Sequence, residues 1–152
     1  MTKLKKKKVE TLAKLKRDLW KVLSPYIRLK SCLETTGSSE ECICINCGGR
    51  FLYKEIQAGH FLPAGKYSSL RYNELNIWGE CQGCNGYDKF KLRYESNLKK
   101  KLGDAAVEGM KLHAELNPVK QWKSNEIRDL IAEYSMKLDL LRASNLTNGG
   151  VR

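Results

Sequence analysis

Cys44-Ile45-Asn46-Cys47-Gly48-Gly49 and Cys81-Gln82-Gly83-Cys84-Asn85 are the two stretches on which the fold turns, separated by 33 residues between Cys47 and Cys81. In each, two thiolates stand at a spacing that lets both reach one tetrahedral ion, at about 2.3 Å per zinc–sulfur bond, and four such ligands make a closed structural site. Gly48-Gly49 suits a knuckle turn, where backbone must curl under a metal. The second pair falls where a helical pattern begins. A knuckle plus a helix N-terminus is the treble-clef arrangement, so Zn2+ on Cys44, Cys47, Cys81 and Cys84 would fix the helix start against the hairpin lying between the pairs. Redox use of either pair is disfavoured, because no βαβ pattern surrounds it. Cys42 is a neighbour that competes as a ligand, but Cys42-x-Cys44 is a poorer spacing, and Cys32 reads as a buried apolar residue.

The compartment supports metal over disulfides. The N-terminus passes from Met1-Thr2-Lys3 into lysines without the apolar core of a signal peptide, and the chain has no run of about 18 apolar residues. A soluble, cytoplasmic chain without membrane contact is the expectation, and there six cysteines stay reduced. At 152 residues it has room for one modest core that a metal staple would help.

Outward from the cysteines, Leu12, Leu15, Leu19 and Leu23 predict an amphipathic helix over about residues 9–23. Ser24-Pro25 reads as an N-cap and first helical residue of a second short helix through Leu29, with Thr35–Ser39 as a linker. Phe51–Tyr53 and Ile56–Leu62 look like short strands of hairpin character, broken by Gly59 and Pro63. A helix beginning near Cys84 runs through Phe90, Tyr94, Leu98 and Leu102 to Gly103. Two more follow, about 104–116, which carries His113, assigned to structure, and is ended by Asn117-Pro118, and about 125–143, entered through Ser124. The expected class is α+β: a small zinc-stapled treble-clef core flanked by N- and C-terminal helices. Its divisions are a basic helical N-terminal arm (1–39), the stapled core (40–103), C-terminal helices (104–143) and a disordered tail (144–152).

The net charge of +11 is unevenly spread: residues 1–30 carry eleven Lys/Arg against Glu10 and Asp18, and residues 89–103 carry six against Glu95, while residues 40–88 are acidic by two. Basic flanks around an acidic, cysteine-bearing middle point to a polyanion held around a site, DNA above all. The candidates are Lys5, Lys6, Lys7, Lys8, Lys14, Lys16 and Arg17 in the arm and Arg71, Lys89, Lys91 and Arg93 nearer the middle. Contacts of this kind hold phosphate without reading sequence. Tyr67, Tyr72, Trp78 and Tyr87 are the right residue type to stack on unpaired bases, although such aromatics more often fill a small core.

Three residues stand in order around the second cysteine pair: His60 in Ala58-Gly59-His60-Phe61, then Asn76, then Asn85 directly after Cys84. The string Asn76-Ile77-Trp78-Gly79-Glu80-Cys81-Gln82-Gly83-Cys84-Asn85 resembles the corresponding segment of HNH endonucleases, whose core is the zinc-stapled ββα-metal unit. More specifically, over roughly residues 20–102 the chain resembles the NinG/Rap family of bacteriophage recombination proteins, through Trp20, Ser24, Tyr26-Ile27-Arg28, the cysteine pairs, Ala58-Gly59-His60-Phe61, Arg71, Asn73, Asn76 and Asn85. The resemblance implies a metal-dependent nuclease acting on branched or single-strand-containing DNA in phage recombination. It gives His60 as general base, Asn85 as ligand to a catalytic Mg2+ or Mn2+, and Asn76 as the residue that orders the loop and orients His60. A recombinase or single-strand-binding protein and a second copy of the chain are the further partners considered. Many HNH sites carry Asp or His just before the base as a second metal ligand. Here Gly59 stands there, so either Glu55, Gln57 or Asp88 substitutes, or DNA phosphate and water complete a weak single-ion site. The competing reading is a non-catalytic zinc-containing DNA-binding or recombination-complex adaptor.

Overall fold

The computed structural model describes residues 9–86 and 91–148, with Lys91, Thr147 and Asn148 described by backbone alone. In chain order the elements are α1 (Leu12–Thr36), β1 (Glu41–Ile43), β2 (Arg50–Leu52), β3 (Ile56–His60), β4 (Ile77–Cys81), α2 (Gln82–Asn85), α3 (Lys91–Leu102), α4 (Asp104–Leu116) and α5 (Ser124–Asn148). The class is α+β, as expected.

Helix α1 starts at Thr11, whose side chain accepts from Lys14 N, and ends where the N–H of Gly37 returns to Leu33 O. It is one helix, not the two expected, and Pro25 lies inside it. A proline in a helix interior costs on the order of 3 kcal/mol, through the lost N–H bond and a clash with the preceding turn. Past Pro25, however, Tyr26, Ile27 and Leu29 continue the buried stripe of Leu15, Leu19 and Leu23. Burying a side chain of this size contributes about 1.5–3 kcal/mol, so three of them outweigh the break. Thr35 belongs to the helix rather than to a linker: its hydroxyl donates to Ser31 O and accepts the N–H of Ile43, tying α1 to β1.

The strands form two antiparallel ribbons, β1 with β2 and β3 with β4. The expected hairpin partners, around residues 51–53 and 56–62, therefore do not pair with each other. Between them the 3-10 turn Tyr53–Glu55 redirects the chain, held by the Arg28 guanidinium donating to Tyr53 O at 2.7 Å. In the second ribbon Ile56 faces Cys81 and His60 faces Ile77. This ribbon separates two apolar cores. On one side Ala58 and Ile77 join α1 and the Ile127, Tyr134 and Leu138 stripe of α5. On the other, Phe61 and Trp78 join Tyr94 and Leu98 of α3 and Val107 and Met110 of α4.

The remaining helices differ from expectation in their ends. In place of one helix from Cys84, α2 stops at Asn85 and α3 begins at Lys91, with residues 87–90 outside the described set. The cap of α5 is Lys123, not Ser124: its carbonyl accepts from Ile127 N, and its N–H donates to the Glu126 carboxylate at 2.9 Å. The helix continues through Asn148, so residues 145–148 are helical where a disordered tail was expected, and residues 149–152 lie outside the described set. His113 is exposed on α4, while its neighbours Met110 and Ala114 do the packing.

Candidate metal centre and nucleic-acid cleft

The Sγ atoms of Cys44, Cys47, Cys81 and Cys84 all lie within 4.8 Å of one another. Tetrahedral zinc at 2.3 Å sets its sulfurs about 3.8 Å apart, so a small contraction brings this set onto one ion. The turn that makes this possible is local. Cys44 N donates to Gly49 O at 2.9 Å and Gly48 N to Cys44 O at 3.0 Å, while Gly48 takes a left-handed φ of 73° that a side chain would resist. Backbone N–H groups point at two of the sulfurs, Cys81 N at Cys44 Sγ (3.3 Å) and Gly49 N at Cys47 Sγ (3.4 Å); these bonds favour the thiolate, but at Cys44 burial outweighs them and pushes the thiol up to about 11, so the charge of a bound metal is what would hold it ionised. The donor set fits zinc. Cys42 is not part of it: Cys42 and Cys32, both free thiols, are buried together with Ile56, and the neighbouring Cys42 thiol, with burial, pushes the Cys32 thiol up.

His60, at the end of β3, stacks on Trp20 of α1 with ring centroids 5.7 Å apart and planes 12° from parallel. Its Nε2 lies 2.8 Å from Arg71 O. A carbonyl can only accept, so Nε2 carries a proton, and in the neutral ring the lone pair is then on Nδ1. Around the ring an open cleft of about 420 Å³ is lined by Lys16, Arg17, Trp20, His60, Arg71 and Tyr72. A second cleft of about 340 Å³ on the other side of Trp20 is bordered by Arg28, Lys54, Gln57, Ala58 and Asn85. Residues of β3 line both, His60 the first and Ile56, Gln57 and Ala58 the second.

Asn76 is fully buried. Its Oδ1 accepts from Leu62 N at 2.8 Å, and its Nδ2 donates to Leu62 O at 3.0 Å and Leu70 O at 3.3 Å. The side chain thus clamps both ends of the loop that leads from His60 to Arg71. Tyr94 steadies the strand from the opposite core by donating to Gly59 O at 2.9 Å; burial pushes its phenol well above the usual range, so it stays a donor.

Gly59 lies beside a carboxylate the sequence reading passed over. A Cβ built on Gly59 would collide with Glu80 Oε2, and it would stand 2.9 Å from Asn85 Oδ1 and 3.0 Å from Glu80 Cβ. Glu80 is fully buried on β4, and its Oε1 accepts from Asn46 Nδ2 at 3.2 Å. Asn85 Nδ2 donates to Gln57 Oε1 at 2.8 Å, which leaves Oδ1 turned toward Gly59. Of the substitutes expected for a ligand at position 59, Glu55 instead accepts from Leu52 N, Gln57 serves Asn85, and Asp88 lies outside the described residues. The signal that would have found Glu80 is a carboxylate directly before Cys81 in a stretch, Ile77-Trp78-Gly79, that is otherwise apolar or glycine.

The candidate DNA-binding residues fare differently. Lys16, Arg17 and Arg71 come together in the His60 cleft, Arg71 with one nitrogen donating to Ala64 O at 3.1 Å. Lys14 is held between Asp18 and Glu10, which raise its affinity for its proton and offset its charge locally. Arg93 is exposed on α3. Lys5, Lys6, Lys7, Lys8 and Lys89 lie outside the described residues, as does the side chain of Lys91. Tyr67, Tyr72 and Trp78 are buried in the cores rather than offered to bases, and Tyr87 is outside the described set.

These features define an α+β protein with a four-cysteine cluster able to hold one metal ion at one end of the β3–β4 ribbon and a basic cleft that contains a histidine at the other. The chain belongs to the NinG family: the family model for the bacteriophage lambda NinG protein matches residues 1–144. Proteins named ninG from Escherichia phage lambda and Salmonella phage P22 are each 31% identical over 102 residues, covering 66% of this chain and 48% of their own. A third, from Escherichia phage 933W, is 30% identical over the same length and is covered to 49%. The chain spans about half the length of these relatives. No solved structure matches it. Among the described residues no helix is long and apolar enough to cross a membrane.

Proposed function

We propose that this protein is a metal-dependent endonuclease that cuts branched, recombination-intermediate DNA, on a zinc-stapled treble-clef core of the HNH type. The observation that carries the reading is His60: its tautomer is set by Arg71 O, its ring is fixed by Trp20, and it faces a cleft bordered by Lys16, Arg17 and Arg71. Few enzymatic groups are needed for phosphodiester hydrolysis, and most of its catalysis is positioning and charge. Lys16, Arg17 and Arg71 hold the phosphodiester backbone at the edge of β3. His60 Nδ1 takes the proton of the attacking water. Asn76, which touches no DNA, holds the loop that keeps Arg71 O against the imidazole. Asn85 would hold a divalent cation, Mg2+ or Mn2+, which would supply positive charge beside the phosphate. Cys44, Cys47, Cys81 and Cys84 would hold zinc outside the reaction, where it would fix the start of α2, and hence Asn85, against β3.

Purified protein with forked and four-way DNA and Mg2+ or Mn2+ provides the test. Cleavage is expected. Binding of both substrates with no cleavage under either metal would replace the enzyme with a DNA-binding adaptor.

A further inference from the structure

Lys16, Trp20, Ser24 and Arg28 stand four residues apart on α1 and so form one row along it, about 18 Å from first to last at 1.5 Å per residue. Both clefts lie between this row and β3. Lys16, Arg17 and Trp20 border the first with His60, and Trp20, Ser24 and Arg28 border the second with Gln57 and Ala58. Trp20 belongs to both and divides a line of basic groups, with Lys16, Arg17 and Arg71 on one side of it and Arg28 and Lys54 on the other. Lys14 is paired with Asp18 and Glu10, but Lys16, Arg17 and Lys54 form no ion pair among the described residues, so their charge is left for a ligand.

The indole of Trp20 also differs from the other two. Trp78 donates its N–H to Leu75 O and Trp122 donates to Ser68 O, whereas Trp20, half-buried, meets no acceptor among the described residues. An aromatic ring with a polar edge, flanked on both sides by cations, is the combination that holds single-stranded nucleic acid, because the cations track the backbone and the ring takes a base. Bases inside a duplex are stacked on one another and offer no face to a side chain; an unpaired base at a branch does. The second cleft, about 340 Å³, has room for one nucleotide, and the Ser24 hydroxyl and the Gln57 amide on its walls suit the edge of a base that has lost its partner.

We propose that Trp20 is the residue that selects branched over fully paired DNA. The duplex arm lies over Lys16, Arg17 and Arg71 in the first cleft, the strand that leaves it passes Trp20 into the second, and its first unpaired base stacks on the indole with its phosphate at Lys54. The assignment rests on the reading that these clefts take DNA and adds the group that tells a branch from plain duplex. It is tested by binding alone.

The test uses the full, zinc-loaded chain with no other divalent cation added, so that nothing is cut. Fluorescence anisotropy measures affinity for a labelled fork and for a fully paired duplex of the same length. Wild type is expected to bind the fork at least about tenfold more tightly, within the range for one base stacked on an aromatic side chain. Trp20→Leu is expected to bring fork affinity down to that of the duplex and to leave duplex affinity unchanged, and Trp20→Phe to keep most of the preference. Lys54→Ala, a change at an exposed position, is expected to weaken fork binding alone and to lower its salt slope by roughly one, whereas Lys16→Ala weakens binding of both DNAs. Urea unfolding and zinc content of each variant are measured on the same samples. Equal affinity of wild type for fork and duplex overturns the assignment, as does a preference that survives in folded Trp20→Leu or, if that variant does not fold, in Lys54→Ala. A preference lost in Trp20→Leu, with the fork left uncut by wild type under Mg2+ and Mn2+, upholds the assignment and fails the nuclease reading. A fork cut by wild type, with the preference unchanged in Trp20→Leu, does the reverse.

Discussion

Replacing Asn76 with alanine removes the clamp of the His60–Arg71 loop, and its effect can be worked out from the contacts. The substitution deletes three hydrogen bonds, to Leu62 N, Leu62 O and Leu70 O, at a position with no solvent exposure. A buried polar group left without its partner costs about 1–3 kcal/mol, and water reaching the loosened loop recovers part of that, so a loss of about 2–4 kcal/mol is expected. For a chain of this length that is roughly 5–15 °C in melting temperature. Urea unfolding at pH 7 measures it, with an unchanged slope showing that the same surface is exposed. Asn76→Asp is a sharper probe. It keeps the acceptor for Leu62 N but sets a carboxylate against Leu62 O and Leu70 O, so it is expected to destabilise at least as much at pH 7 and to recover as the pH falls and the carboxyl protonates. A loss below about 0.5 kcal/mol in Asn76→Ala would show that the loop is held by something other than this side chain.

Three further outcomes follow from the same contacts. Metal analysis is expected to find about one zinc per chain, and chelation or Cys81→Ser to unfold the region around α2, since structural zinc energy is largely folding energy; a stable, metal-free wild type contradicts this. Lys16→Ala, Arg17→Ala and Arg71→Ala together are expected to weaken DNA binding and to flatten its salt dependence, whereas Lys14→Ala, already neutralised by Asp18 and Glu10, changes the slope little; equal slopes would contradict the cleft. Lys111 and Lys99 hold the Glu95 carboxyl below its ordinary range, joining α3 to α4. A lowered folded value gives stability that is present above the unfolded value and lost as pH falls through the folded one, so in urea unfolding Glu95→Gln is expected to be less stable than wild type by a constant amount from pH 7 to 9 and to converge with it as pH falls below the ordinary carboxylate value; an equal gap at every pH would contradict it.

Local signals in the sequence were enough for some elements. The CxxC spacings and the Gly48-Gly49 turn located the four sulfurs, because ligand geometry is fixed within a few residues of each pair. The helical stripes of Tyr94 and Leu98 and of Ile127, Tyr134 and Leu138 located α3 and α5. Pro25 misled, because Ser-Pro is a strong start signal, and only the packing of Tyr26, Ile27 and Leu29 against α5 shows why the helix runs on. Strand pairing was equally out of reach: β3 joins β4, 21 positions apart at the Gly79–Ala58 pair, through a register no local pattern specifies. Glu80 could stand out in the sequence only as a carboxylate among apolar residues and glycine; its nearness to Gly59 exists only across that register. His60 and Asn85 were legible in order but not in setting, and the sequence held no hint that Trp20, from a helix forty residues upstream, would cover the imidazole.

The claim on which the account rests is that His60 performs the chemistry at the edge of β3. Its most direct measurement is the single-turnover cleavage of an end-labelled four-way junction by wild type and His60→Ala, with affinity for the junction measured in parallel. Losing a general base removes about 10²–10⁴ in rate, so the variant is predicted to bind as wild type does and to cut at least about a hundredfold more slowly. Cleavage by His60→Ala at the wild-type rate would contradict it.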